Sequence, residues 1–152
     1  MENRHVGREV LTVEEFLTLS AKINYQLSAR ELKAPVLLSL VLGPATFSEP
    51  EQAVLLDAFA AIQAGYDQDR RRLGTPGVLH PLRAAALLAR TMRQPTLADL
   101  LAALFHDKEE DLTQEALGAE RFARMQKHFE KLRGQLGVLE RHRLDSDIKW
   151  LS

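Results

Sequence analysis

Two histidines and four carboxylates mark the two ends of residues 80–111. The stretch opens His80-Pro81-Leu82 and closes His106-Asp107-Lys108-Glu109-Glu110-Asp111, with Ala- and Leu-rich sequence between. Imidazole nitrogen and carboxylate oxygen without sulfur are donors suited to Mn²⁺, Fe²⁺, Mg²⁺ or Zn²⁺. Residues 97–105 are strong helix formers with no Gly or Pro. A helix continuing through them places His106 one turn from Glu110, Asp107 one turn from Asp111, and Asp107 three residues from Glu110. Like charges so spaced repel by about 0.2–0.5 kcal/mol per exposed pair, and by more when buried. A bound cation reverses that sign. The plain alternative is a solvated acidic helix end. The apolar run leading straight into His106 instead starts this turn inside the protein. His80 precedes a proline at a helix start, where the missing N–H would have no partner anyway. A lone histidine there is usually structural; a His-Asp doublet downstream makes it a candidate ligand.

These residues resemble the HD superfamily of metal-dependent phosphohydrolases. More narrowly they resemble the hydrolase domain of RelA/SpoT-type enzymes, which remove pyrophosphate from guanosine tetraphosphate, ppGpp. That family reads Arg-Lys-x-Gly-x-Pro-x-x-x-His-Pro, an apolar helix, then Leu-Leu-His-Asp-x-x-Glu-Asp-Thr. This chain has Arg71-Arg72-Leu73-Gly74-Thr75-Pro76 followed by Gly77-Val78-Leu79-His80-Pro81, and later Leu104-Phe105-His106-Asp107-Lys108-Glu109-Glu110-Asp111-Leu112. The likeness covers residues 59–111. Two departures stand out: Tyr66-Asp67-Gln68-Asp69 replaces the family's His-x-Gly-Gln, and Leu112 replaces its Thr. The family's later Asp has its nearest echo in Asp145-Ser146-Asp147-Ile148-Lys149, with Asp145 and Lys149 in register.

The resemblance implies a ligand set of His80, His106, Asp107 and Asp145 around one divalent ion, Mn²⁺ by the family's habit. It implies Glu110 and Asp111 as catalytic carboxylates that orient or deprotonate water or protonate the leaving group. Arg71 and Arg72 match the family's substrate-contacting pair, although three arginines at a helix end also suit the helix dipole as a solvated cluster. The fold it implies is an all-α orthogonal bundle, to which helical periodicity contributes the all-α part. Two other functions fit the same residues. One is an HD phosphohydrolase for another nucleotide or a phosphomonoester, in keeping with residues 66–69 and Leu112. The other is a non-catalytic HD-like module that binds a ligand or partner.

The surrounding elements are legible from caps and periodicity. Thr12-x-x-Glu15, Ser28-x-x-Glu31 and Ser48-Glu49-Pro50-Glu51 are helix starts. Phe16, Leu19, Ile23 and Leu27 recur at helical spacing after the first. Residues 36–42 could be a strand or a buried helix on pattern alone; with no second β-like run to pair with, helix is expected. Ala53, Leu56, Phe59, Ala60, Gln63 and Tyr66 line one helix face, residues 81–92 form the next helix, and Thr96 starts another. From Thr113, Leu117, Phe122, Met125, Phe129, Leu132 and Leu136 mark a buried stripe, with Gly134 and Gly137 weakening its end. His128 and His142 lie among charged residues and read as exposed. Residues 1–47 read as an N-terminal helical extension packed on a single HD-type domain, 48–152.

At 152 residues and 45% apolar composition, one core is feasible. A net charge of −1 gives no global field favouring nucleic acid. The absence of cysteine excludes disulfides and thiolate metal sites and fits a cytoplasmic protein. Residues 1–10 lack an apolar signal core, and no apolar run approaches the ~20 residues needed to span a bilayer. The expected partner is a small-molecule nucleotide, with neither nucleic acid nor membrane; a homo-oligomer is left open.

Overall fold

The structure is a computed structural model that describes residues 12–28, 34–66 and 78–151. All regular structure among the described residues is helical: α1 (Val13–Ser28), α2 (Ala34–Leu42), α3 (Glu49–Gly65), α4 (Leu79–Thr91), α5 (Leu97–Leu104), α6 (Lys108–Asp111), α7 (Gln114–Leu117), α8 (Ala119–Gly134) and α9 (Val138–Leu151). The all-α expectation therefore holds, and residues 36–42 are helical as argued.

Local chemistry starts several of these helices. Thr12 and Glu15 form a reciprocal capping box ahead of α1, and Ser48 and Glu51 form one at α3 with Pro50 in the first turn. Thr96 and Asp99 do the same for α5. The Ser28–Glu31 box reaches outside the described residues. Two expectations need correction. The helix entering the acidic cluster stops at Leu104 and restarts at Lys108. The stripe after Thr113 is split between α7 and α8 at Gly118, whose φ of +83° is a backbone conformation that favours glycine.

One continuous cluster of buried side chains joins the elements. Leu55, Phe59 and Ile62 of α3 meet Met125, Phe129 and Leu132 of α8, while Leu82, Ala85 and Ala86 of α4 pack with Leu100, Leu101 and Leu104 of α5. Ile23 of α1 and Leu37 and Val41 of α2 belong to the same cluster, with both helices lying against α4. Leu144 and Ile148 bring α9 onto it. His142 is exposed as expected; His128 is half-buried. No described helix is long and apolar enough to cross a membrane.

Polar contacts fix the frame at its edges. Arg90 on α4 donates from Nη1 to the Val41 carbonyl at 2.9 Å and from Nη2 to the Leu40 carbonyl at 2.6 Å. It thereby satisfies carbonyls that the end of α2 leaves open. Gly43, at φ +56°, lies just beyond, and a Cβ there would stand 2.9 Å from Arg90 Cζ. On the opposite side, Arg143 of α9 reaches Asp99 of α5 at 3.2 Å, and Lys131 and Gln135 from the end of α8 reach Asp57 of α3.

A candidate metal centre at the α4 and α5–α6 ends

His80 stands in the first turn of α4, followed by a buried Pro81. The proline needs no hydrogen bond in that turn, so it is tolerated directly after the histidine at the start of α4.

His106 and Asp107 occupy the break between α5 and α6. Phe105 and Asp107 both sit in the bridge region, at φ −107°, ψ 17° and φ −104°, ψ 16°. No Gly or Pro forces the break; side chains hold it. His106 Nδ1 lies 2.7 Å from the Ala103 carbonyl, which a continued helix would have offered to the Asp107 N–H. Phe105 is fully buried and meets Phe129 of α8 edge-on at 5.0 Å. The Lys108 ammonium lies 4.5 Å from the centre of that same Phe129 ring. Burial is the main reason the Lys108 pKa is lowered, with Glu109 the first of the neighbouring charges opposing that shift. The turn is thus gripped from both sides by one aromatic residue of α8.

Asp107 occupies the N-cap position of α6, yet its side chain makes no capping bond. An aspartate there ordinarily accepts from its own helix. This carboxylate faces the histidines instead. Asp107 Oδ2 is 2.9 Å from His80 Nε2 and 3.0 Å from His106 Nε2, and the two Nε2 atoms are 3.0 Å apart. Three donor atoms from three side chains therefore form a nearly equilateral triangle. The side chains are between about a quarter and a third exposed, at 34% for His80, 24% for His106 and 23% for Asp107.

Proton bookkeeping tests whether these residues fit a cation. A carbonyl only accepts, so His106 Nδ1 must carry the proton of the bond to Ala103. In the neutral ring His106 Nε2 is then a lone pair, and so is the carboxylate oxygen facing it. Neutral His80 can bring one proton to the triangle and can point it along only one edge. At least the His106–Asp107 edge is left lone pair against lone pair at 3.0 Å. A cation between the three atoms, or an imidazolium proton, removes that repulsion. The Nδ1–H to backbone carbonyl bond is also the usual way a metal-binding histidine is held in its tautomer. The donor set fits a divalent metal ion.

The other residues singled out in sequence are distributed unevenly. Glu110 is exposed on α6. Asp111, one turn beyond Asp107, is half-buried and accepts from the Tyr66 hydroxyl at 2.9 Å. Tyr66 was expected on a helix face; it ends α3, is almost fully buried and reaches the acidic cluster, which sequence spacing did not reveal. Leu112 is core, with its Cδ2 only 2.5 Å from where a Cβ on Gly65 would stand. Asp145 is not brought to the triangle. Arg133 holds both its oxygens, at 3.1 Å from Nε and 2.7 Å from Nη2, and Asp147 lies 3.4 Å from Arg143. No signal in the sequence foretells the Arg133–Asp145 pairing, which spans the turn between α8 and α9. Arg71 and Arg72 lie outside the described residues. Among those described, His80, His106 and Asp107 are the one group placed to hold a metal ion. Comparison with protein-family models, curated proteins and solved structures finds no match to this chain.

Proposed function

We propose that the chain is a metal-dependent phosphohydrolase acting on a nucleotide, with ppGpp the first substrate to test and its 3′-pyrophosphate the group removed. The helical arrangement is read as an orthogonal bundle of HD type. The observation that carries the proposal is the triangle of two imidazole nitrogens and a carboxylate oxygen, with three further carboxylates, Glu109, Glu110 and Asp111, on the helix that Asp107 begins. A bound ion, Mn²⁺ first and Fe²⁺, Mg²⁺ or Zn²⁺ next, supplies water acidification and neutralisation of phosphoryl charge. His80, His106 and Asp107 hold it. Glu110, exposed three residues on from Asp107, is assigned to take a proton from water or return one to the leaving oxygen. Asp111 is oriented by the Tyr66 hydroxyl to position that water. Arg71 and Arg72 are assigned to substrate phosphates on the sequence resemblance alone.

The test is metal content followed by turnover. Purified protein should hold about one equivalent of Mn, Fe or Zn, or take up added Mn²⁺. The His106→Ala/Asp107→Ala variant should hold none. The loaded protein should release pyrophosphate from ppGpp, and Glu110→Ala with Asp111→Ala should lower kcat by about 100-fold or more with metal still bound. Full turnover in that double variant would remove the role given to the two carboxylates. Metal binding without turnover on a panel of nucleotides and phosphomonoesters would favour a non-catalytic HD-like module, the reading supported by the pairing of Asp145 with Arg133.

A further inference from the structure

We infer that Arg83 is an anion contact: its guanidinium takes a phosphoryl oxygen of a ligand that enters beside His80. The inference rests on the reading of His80, His106 and Asp107 as the functional site, and it adds a ligand-binding residue that the resemblance does not name.

Placement is the first argument. Arg83 follows His80 by three residues on α4. Neighbours so spaced share a helix face, with Cβ atoms about 5–6 Å apart. Side chains on a helix lean toward its N-terminus, so the long Arg83 stem covers the turn that bears His80 rather than the turn after it. The His80 side chain is 34% exposed, so that turn is open to a ligand.

Charge is the second. Arg83 is half-buried, and its side chain has no hydrogen bond or ion pair among the described residues. Its own helix supplies no partner, since residues 79–91 contain no carboxylate. Arg90, further along α4, fills its donors with the Leu40, Val41 and Ala86 carbonyls. A guanidinium partly withdrawn from water without a partner gives up hydration that an incoming anion restores. The side chains of Arg93 and Arg141 also lack a partner among the described residues, but neither shares a helix turn with His80, His106 or Asp107. On the acidic side, α6 brings Glu109, Glu110 and Asp111 directly after Asp107. A phosphate is repelled by those acids and attracted by α4, whose planar arginine fork matches two phosphoryl oxygens at once. The ligand class is therefore one with an accessible phosphate, not a neutral nucleoside or an organic cation.

Inorganic phosphate is the probe. The full chain, with and without added Mn²⁺, is dialysed to equilibrium against labelled phosphate, and Mn²⁺ uptake is measured alongside. Arg83→Gln should weaken phosphate binding by about 10- to 100-fold, the loss expected for a charge-assisted hydrogen bond. Its Mn²⁺ affinity should change by less than about threefold, because Arg83 neither ligates an ion nor orients a ligand. Arg83→Lys keeps the charge without the fork and should recover only part of the loss. Arg93→Gln makes the same charge change just past the far end of α4 and should leave phosphate binding unchanged. Circular dichroism confirms that each variant folds, and Arg83→Lys carries the comparison if Arg83→Gln does not. Phosphate binding in Arg83→Gln within about twofold of wild type, or a fall no larger than in Arg93→Gln, would overturn the inference with the metal site intact. An equal loss of Mn²⁺ affinity in Arg83→Gln would overturn it too, because that marks a structural role. A wild-type chain that takes up no Mn²⁺ would refute the metal-site reading. Phosphate binding that still depends on Arg83 would then uphold the contact, and no phosphate binding would refute both.

Discussion

Replacing Arg90 with methionine removes a guanidinium while keeping most of the aliphatic stem. Two of its bonds cross between helices, to Leu40 and Val41 at the end of α2, and a third goes to Ala86 on its own helix. A hydrogen bond from a charged donor nets about 1.5–3 kcal/mol, so the two crossing bonds set an upper bound of about 3–6 kcal/mol. Arg90 is only half-buried and the neighbouring Gly43 and Pro44 are exposed, so water can reach part of what the guanidinium leaves. Burying the guanidinium also opposes its charge, as the lowering of its pKa by desolvation indicates. Against this, a cation at the C-terminal end of α2 gains about 0.3–1 kcal/mol from the helix dipole. The expected net loss is about 2–3 kcal/mol in urea unfolding. For a chain of this size that corresponds to a fall in Tm of about 5–10 °C. Arg90→Lys should recover less than half, since one ammonium cannot fork between two carbonyls as a guanidinium does. Gly43→Ala attacks the same contact from the other side, through a positive φ and a Cβ 2.9 Å from Arg90 Cζ. A change below about 0.5 kcal/mol in Arg90→Met, the range of an ordinary surface substitution, would refute the idea that this residue fastens α2 to the helix carrying His80.

Gly65→Ala should destabilise the chain by about 1–2 kcal/mol despite alanine's better helix propensity, because its Cβ would stand 2.5 Å from Leu112 Cδ2 and 3.3 Å from Met125 Cγ. Adding Leu112→Ala should make room for that Cβ, and a Gly65→Ala single variant with raised Tm would disprove the tight contact. The Glu15 carboxylate is held below its ordinary 4.5 by the Thr12 N–H and, secondarily, by the Thr12 hydroxyl. A depressed carboxylate contributes above its unfolded pKa and loses that contribution as pH falls through the folded value. Fraying of α1 on acidification below 4.5, followed by amide exchange near Thr12, should therefore diminish in Glu15→Gln, which lacks the titrating group.

What the sequence disclosed and what it hid divide along the range of the interactions involved. Capping boxes at Thr12, Ser48 and Thr96 are three-residue signals, and the helices they start are found where expected. The apolar spacing also identified Met125, Phe129 and Leu132 as core. Arg90 gave no sign, because its partners are backbone carbonyls fifty and forty-nine residues earlier, and any residue type supplies a carbonyl. The resemblance places Asp145 on a metal by register, whereas Arg133, twelve residues before it, takes the carboxylate.

The break at residues 105–107 shows why the site itself was only half legible. Propensity alone extends α5 through to Asp111, since nothing in the run disfavors helix. A continued helix would keep His106 and Asp107, as adjacent residues, on different faces about 100° apart. The turn moves both residues out of helical register, into one oxygen–nitrogen triangle with His80, while α6 resumes at Lys108. Its supports are the Ala103 carbonyl taken by His106 and the Phe129 ring contacted by Phe105 and Lys108. Only the first of these is local in sequence; the second depends on α8 packing across α3, which spacing within residues 97–111 cannot encode. The residue types therefore revealed the chemistry on offer, while the contacts of Phe105 and Lys108 with Phe129, which flank the turn, are tertiary and invisible to local spacing.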